Sequence, residues 1–294
     1  MGTSSIFRGT GVAIVTPFKS NGQVDFKALE RVTNHIIKGK VEYIVALGTT
    51  GESVNLSKEE KIDIVNCITD TVKNRVPVVL GLGGNSTHEV VAGFKYFDFK
   101  QLAAILSVSP YYNKPSQQGI FEHYKVVAKE SPKPVILYNV PGRTSSNMTA
   151  ETTLRIANEV KNVIAMKEAS GNLEQCMRII KNKPKDFLLI SGDDALTLPI
   201  LASGGEGVIS VVANAYPEFS EMVRQALKGN YQKARELHYK YLDIIELMFA
   251  DGNPGGVKEF LYRMNLCETT LRLPLVRVNK QVQEKIKALH KKSK

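Results

Sequence analysis

Short β-rich runs recur eight times in this chain, at residues 11–18, 43–48, 77–83, 103–110, 134–140, 163–169, 187–194 and 207–214. Their starts lie roughly 20 to 35 residues apart, which leaves room for a helix after each run. Eight βα units in series predict a (β/α)8 TIM barrel with right-handed crossovers. The intervening segments carry helix-start signals. Ser57-Lys58-Glu59-Glu60 and Ser86-Thr87-His88-Glu89 both fit the capping-box pattern. Ile62, Val65, Ile68 and Val72 then recur at helical spacing and give one apolar face for a barrel.

The alternation stops near residue 224. Residues 225–250 read as one long helix, which Asp251-Gly252-Asn253-Pro254-Gly255-Gly256 breaks. A second helix is expected over 257–264 and a last one over 279–291. The expected organisation is a catalytic barrel over 1–224 and a C-terminal helical domain over 225–294. The chain's 294 residues and 43% hydrophobic content are enough for that core.

Composition excludes several classes. Cys67, Cys176 and Cys267 are far apart and form no CxxC, which predicts free thiols in a reducing compartment. The five histidines form no HExxH or similar cluster, so no metal site is expected. The N-terminus lacks a signal-peptide core, and no apolar run approaches the roughly 20 residues of a membrane span. A cytoplasmic protein with no membrane contact is the expectation. The net charge of +10 reads as a basic surface plus the tail His290-Lys291-Lys292-Ser293-Lys294. No nucleic-acid motif accompanies it, so no nucleic-acid partner is expected. Such a field does attract small anionic substrates.

The residues that can carry chemistry fall at strand ends. Val-Ile-Ala-Met-Lys-Glu-Ala (163–169) is an apolar run with one cation, Lys167, near its end. A strand apolar on both faces is buried on both. A buried ammonium loses hydration, which favours the neutral amine that an imine-forming lysine requires. Thr49 and Thr50 follow the second run, Tyr111 and Tyr112 the fourth, and Tyr138 and Arg143 the fifth. Gly192 ends the seventh, and Ile209 lies in the eighth. Barrel active sites form at the C-terminal ends of the strands. Singly, each residue also has an ordinary reading, as a core-edge tyrosine, a tight turn or a solvated arginine. Together they bring an amine, phenols, threonine hydroxyls and a guanidinium to one barrel mouth. That set suits a 2-oxo acid. An amine forms the imine, hydroxyls move protons, and backbone N–H groups around Thr49-Thr50-Gly51 hold the carboxylate.

Four segments carry a family resemblance: Tyr138-Asn139-Val140-Pro141-Gly142-Arg143-Thr144, Gly48-Thr49-Thr50-Gly51-Glu52-Ser53, Ser109-Pro110-Tyr111-Tyr112-Asn113 and Met166-Lys167-Glu168. With them the chain resembles the pyruvate-dependent class I aldolases, the dihydrodipicolinate synthase and N-acetylneuraminate lyase family, over nearly its whole length. The resemblance implies an imine on Lys167 with no further cofactor, and a proton relay through Tyr138, Thr49 and Tyr112. Tyr112 would come from a neighbouring subunit of a homotetramer, and Thr50 would hold the pyruvate carboxylate. Arg143 stands where the dihydrodipicolinate synthases hold the carboxylate of aspartate semialdehyde and where sugar-acid lyases generally lack an arginine. A planar fork of donors is suited to that task. The implied reaction is condensation of pyruvate with L-aspartate-4-semialdehyde, on the route to diaminopimelate and lysine.

The resemblance also marks a possible regulatory lysine site at Ser53, Val54, Lys58, Lys61, Asn85, Glu89 and Tyr111. Lys58 and Lys61 replace histidines there, which implies weak or absent inhibition by lysine. Ser145 departs from the family's usual glycine, and Asn253-Pro254-Gly255-Gly256 from its more proline-containing form. The nearest alternative is a sugar-acid aldolase or lyase on the same scaffold. Leu80-Gly81-Leu82-Gly83-Gly84-Asn85-Ser86 raises a nucleotide-binding oxidoreductase, but it lacks the full G-x-G-x-x-G. A non-catalytic binding protein on a decayed barrel is a further alternative, against which the intact lysine, tyrosine and threonine set speaks.

Overall fold

The computed structural model describes residues 3–292, so Ser293 and Lys294 of the basic tail lie outside the described residues. Its strands are β1 (Gly9–Ala13), β2 (Tyr43–Ala46), β3 (Val78–Gly81), β4 (Ala104–Val108), β5 (Val135–Asn139), β6 (Val163–Glu168), β7 (Leu188–Ser191) and β8 (Gly207–Ser210). They close into one parallel barrel in sequence order, with β8 returning to β1. The helices between them are α1 (Phe26–Lys38), α2 (Lys58–Val72), α3 (Thr87–Gly93), α4 (Gln117–Glu130), the short α5 (Pro141–Thr144), α6 (Ala150–Glu159), α7 (Leu173–Asn182) and α8 (Thr197–Ala202). After β8 come α9 (Phe219–Leu227), α10 (Tyr231–Phe249), α11 (Gly255–Arg263) and α12 (Lys280–Lys292).

Side-chain alternation divides the core into two layers. Tyr43, Val45, Ala104, Leu106, Ile136, Tyr138, Ala165, Leu188, Ile190 and Ile209 form the barrel interior. Their strand neighbours Ile44, Ala46, Leu80, Leu137, Met166 and Leu189 face the helices instead. Gly11 matters in the interior, because a Cβ there would lie 2.1 Å from the Tyr43 ring. The absence of a side chain at Gly11 lets the buried Tyr43 ring close the barrel floor.

One irregularity sets the register of the site. β5 and β6 pair Val135 with Val163, then Ile136 with Ala165, so Ile164 is an extra residue in β6. A one-residue shift moves side chains to the opposite face. Beyond the bulge Tyr138 pairs with Lys167 and Asn139 with Glu168.

Two sequence expectations change. The first strand begins at Gly9 and ends at Ala13, and residues 14–18 leave the barrel. Val15 donates its N–H to Asn214 Oδ1, and Phe18 pairs with Val24 in an isolated antiparallel bridge. The single helix expected over 225–250 is two helices. Gly229, at φ +82°, and Asn230 separate α9 from α10. A positive φ is open to glycine at no steric cost, and it turns the chain there. The division at 224/225 therefore falls inside α9, the helix that follows β8. The helices beyond this break, α10, α11 and α12, form the C-terminal helical unit.

Ser57 builds the expected capping box, accepting from Glu60 N while the Glu60 carboxylate accepts from Ser57 N. Ser86 forms only the forward half, accepting from Glu89 N. Among the described residues no helix is long and apolar enough to cross a membrane. The three cysteines are free thiols.

Candidate active site

Lys167 follows Ala165 on the interior face of β6, so alternation carries its stem into the barrel rather than toward the helices. The side chain is buried, and its Nζ lies 4.2 Å from the Tyr138 ring centroid. Gly192, just past β7, makes room for it. A Cβ at that position would sit 3.0 Å from Lys167 Cε and 3.1 Å from its Cγ. Gly192 also donates its N–H to Glu168 O at 2.7 Å, fixing the strand end beside the amine.

A cavity of about 700 Å³ opens above these residues. Thr49, Tyr111, Tyr138, Arg143 and Lys167 line it, as do Ser53, Val54, Lys58, Lys61 and Glu89. The structure thus joins the expected imine site and most of the expected regulatory residues in one space. Asn85 does not line it. Asn85 is tied instead to the 109–113 loop, its carbonyl accepting from Asn113 Nδ2 at 2.9 Å. Ile209 lies in the barrel interior, sealed beneath the mouth with Tyr138 and Ile190. Tyr112 points away, 88% exposed with its backbone at φ +72°. In one chain it is not joined to Lys167.

Thr49–Gly51 form a single 3-10 turn after β2. Thr49 faces the cavity, whereas Thr50 is buried and its Oγ1 accepts from Asn253 Nδ2 at 3.0 Å. Thr16 Oγ1 donates to Gly51 O at 2.7 Å. Asn253 also lines the cavity, and its Oδ1 is buried with no hydrogen-bond partner. Sequence reasoning noted the Asn253 segment as a helix break and as a departure from family form, without a role at the site. The contact spans 203 residues, and no local pattern signals it.

A second network missed in the sequence lies behind β5 and β6. Glu168 is buried, and its carboxylate accepts from Ser170 N, from Gln175 Nε2 and from Asn139 Nδ2. Burial pushes its pKa up, and these hydrogen bonds oppose that rise. Asn139 Oδ1 accepts from Met148 N and its Nδ2 also bonds Asn147 Oδ1, so the segment after Arg143 is tied to the same strand end.

Besides Lys167, the cavity wall carries Arg143, Lys58 and Lys61 against Glu89 and Glu52. Glu52 is already paired with Lys258. The remaining balance is positive and suits carboxylate ligands. Lys58 Nζ lies 3.6 Å over the Tyr96 ring at the outer end. The glycines of Leu80–Ser86 have a packing role, since a Cβ at Gly81 would sit 2.5 Å from Leu47 O and one at Gly83 2.5 Å from Val108 N. They let β3 lie close against its neighbours, which explains the glycine-rich run without a nucleotide. Among the described residues no group of His, Cys, Asp and Glu is placed to hold a metal ion.

Comparison with known proteins gives a consistent result. The Dihydrodipicolinate synthetase family matches residues 6–293. A 4-hydroxy-tetrahydrodipicolinate synthase of Flavobacterium psychrophilum is 54% identical, over 95% of this chain and 96% of that protein. The crystal structure of dihydrodipicolinate synthase from Aquifex aeolicus superposes with a TM-score of 0.94 at 38% identity, covering 98% of each chain. The chloride-inhibited dihydrodipicolinate synthase of Acinetobacter baumannii, solved in complex with pyruvate, has a TM-score of 0.93 at 37% identity and covers 97% of this chain and 98% of its own.

Proposed function

The chain belongs to the dihydrodipicolinate synthetase family, and we propose that it condenses pyruvate with L-aspartate-4-semialdehyde through an imine on Lys167. The observation that carries this reading is one cavity holding the Lys167 amine, the Tyr138 ring 4.2 Å from it, and the Arg143 guanidinium. The relatives named as synthases support it, and so does the solved relative that holds pyruvate.

The chemistry follows from the groups present. Lys167 Nζ attacks the ketone carbon of pyruvate. The carbinolamine hydroxyl takes a proton and leaves as water, giving the imine. In this reading Tyr138 delivers that proton and Thr49, also on the cavity wall, is the next hydroxyl. Thr50, with the N–H groups of Thr49 and Thr50, holds the pyruvate carboxylate in this reading, the Gly51 N–H being bonded to Gly48 O. Loss of a methyl proton gives the enamine, whose carbon bonds to the aldehyde carbon of the second substrate. The aldehyde oxygen takes up a proton and becomes a hydroxyl. The amino group of that substrate then displaces Lys167 and closes the ring. Arg143 holds the second carboxylate with its fork of donors. No further cofactor is required, because the protonated imine accepts the electron pair.

Tyr112 completes the relay only if it enters the site of a neighbouring subunit, so this reading needs at least a dimer; the homotetramer and the cytoplasmic location come from the family resemblance. The sugar-acid lyase alternative lacks a use for Arg143.

Borohydride reduction with pyruvate should add one reduced pyruvyl group, located on Lys167 by peptide mass spectrometry. An adduct on another lysine, or none, would overturn the mechanism. Turnover with aspartate semialdehyde but not with N-acetylneuraminate or 2-keto-3-deoxygluconate decides between the two lyase readings.

A further inference from the structure

The 49–51 turn is held from outside the barrel. Its continuation, Glu52, sits at φ +52° with a fully buried side chain. Glu52 Oε1 meets Lys258 Nζ at 2.6 Å, and Lys258 lies on α11, 206 residues away and equally buried. Lys258 Nζ also donates to Thr270 O at 2.9 Å, and Glu52 Oε2 accepts from Arg272 N at 3.1 Å. The Lys258 amine lies 4.3 Å from the Phe18 ring centroid and the Arg272 guanidinium 4.6 Å from it.

Three consecutive residues are therefore fixed by long-range bonds: Thr50 by Asn253, Gly51 by Thr16 and Glu52 by Lys258. Two of those three anchors belong to the C-terminal helical unit. A buried ion pair contributes little stability beyond what apolar packing of the same volume would give, because both charges lose their hydration. Its geometry, however, is directional. An ammonium bonded to one carboxylate oxygen and a backbone N–H bonded to the other leave Glu52 one orientation.

We propose that Lys258 is a positioning residue for the 2-oxo acid carboxylate. Through Glu52 it sets the 49–51 turn, so the C-terminal helical unit determines how strongly the barrel prefers a carboxylate-bearing ketone. This rests on the function proposed above. Lys258 does not line the cavity, and the turn it holds follows β2 whereas Lys167 sits on β6, so loss of the pair should weaken carboxylate binding and leave amine reactivity in place.

The test compares borohydride trapping of pyruvate with trapping of hydroxyacetone, a ketone without the carboxylate. Two full-length variants are used. Lys258→Met removes the ion partner of Glu52, and Glu52→Gln with Lys258→Met replaces both members of the pair by neutral side chains. Each should trap subsaturating pyruvate about tenfold more slowly than the parent, with hydroxyacetone changed by less than about twofold. The double variant should recover the thermal stability lost in Lys258→Met while keeping the weakened preference. Should Lys258→Met fail to fold, the double variant alone decides. Equal slowing on both ketones, or full recovery of the preference in the double variant, would make the pair purely structural and overturn the proposal. If the parent itself traps no pyruvate, the proposed function fails first, and this inference with it. A parent that traps pyruvate alongside variants of unchanged preference defeats this inference alone.

Discussion

At the scale of single residues, the proposed chemistry assigns the imine and the choice of its partner to different side chains. Lys167 is enclosed, with Tyr138 against it and Gly192 giving room to its stem. Arg143 is exposed on the same cavity's wall, where a second carboxylate can reach it. Replacing Arg143 by Ala removes a charge-assisted pair and should cost about 1.5–3 kcal/mol in use of aspartate semialdehyde, one to two orders of magnitude in kcat/KM. Pyruvate trapping should stay near the parent rate, and an equal fall in both would reassign Arg143 to the first substrate or to structure. Ser145 shows what the departure from glycine does physically. It caps α5 at φ +55°, a conformation that disfavours any residue with a Cβ. Ser145→Gly should relieve this and raise unfolding stability by about 0.5–1 kcal/mol, after the larger unfolded-state entropy of glycine is subtracted. A lower melting temperature would show that the serine side chain contributes more than its backbone costs.

At the scale of elements, the barrel is set by where strands slip and where helices meet. The extra residue at Ile164 decides that Tyr138, not its neighbour, lies opposite Lys167. Helices α3 and α4 meet through a buried histidine. His123 is 5% exposed, packs edge-on against Tyr124 at 5.0 Å, and bonds Thr87 Oγ1 at 2.9 Å through Nδ1. Burial pushes its imidazole down from 6.5 to about 4. Between those values the unfolded chain binds more protons there than the folded one. The contribution is present above pH 6.5 and is lost as pH falls toward 4, reaching roughly 3 kcal/mol. Melting temperatures of the parent and of His123→Gln, measured across that window, should converge as pH falls. Curves that stay parallel would mean that His123 is not the titrating group.

At the scale of the whole molecule, two features of one chain look incomplete. Tyr112 is 88% exposed in a turn at the barrel mouth, and Val54 beside that mouth is 81% exposed. Both are what a subunit interface would cover. Sedimentation should therefore give a tetramer at assay concentrations, and a fully active monomer would contradict the shared relay. The outer part of the cavity bears on regulation. Lys58 and Lys61 both line it, and Lys58 lies over the Tyr96 ring, so a ligand ammonium entering there would meet like charge. Each like charge at about 4 Å costs roughly 1 kcal/mol even in water-like screening. Titration with L-lysine should show no clear sub-millimolar inhibition, and Lys58→His with Lys61→His should introduce some. Tight inhibition of the parent would sink this reading.

Local sequence determined the strand count, the fold class and the chemical residue types. Strand period, helix length and capping residues are short-range properties that a few neighbouring side chains encode. So Lys167, Tyr138, Thr49 and Arg143 could be placed at one barrel mouth from strand ends alone. Tertiary structure decided the rest: the slip at Ile164, the break at Gly229, the burial of Thr50 under Asn253 and the Glu52–Lys258 pair. The last two join residues more than 200 positions apart. A periodicity read over a dozen residues carries no information about such contacts. They exist only because closing the barrel brings its second loop beneath the C-terminal helices.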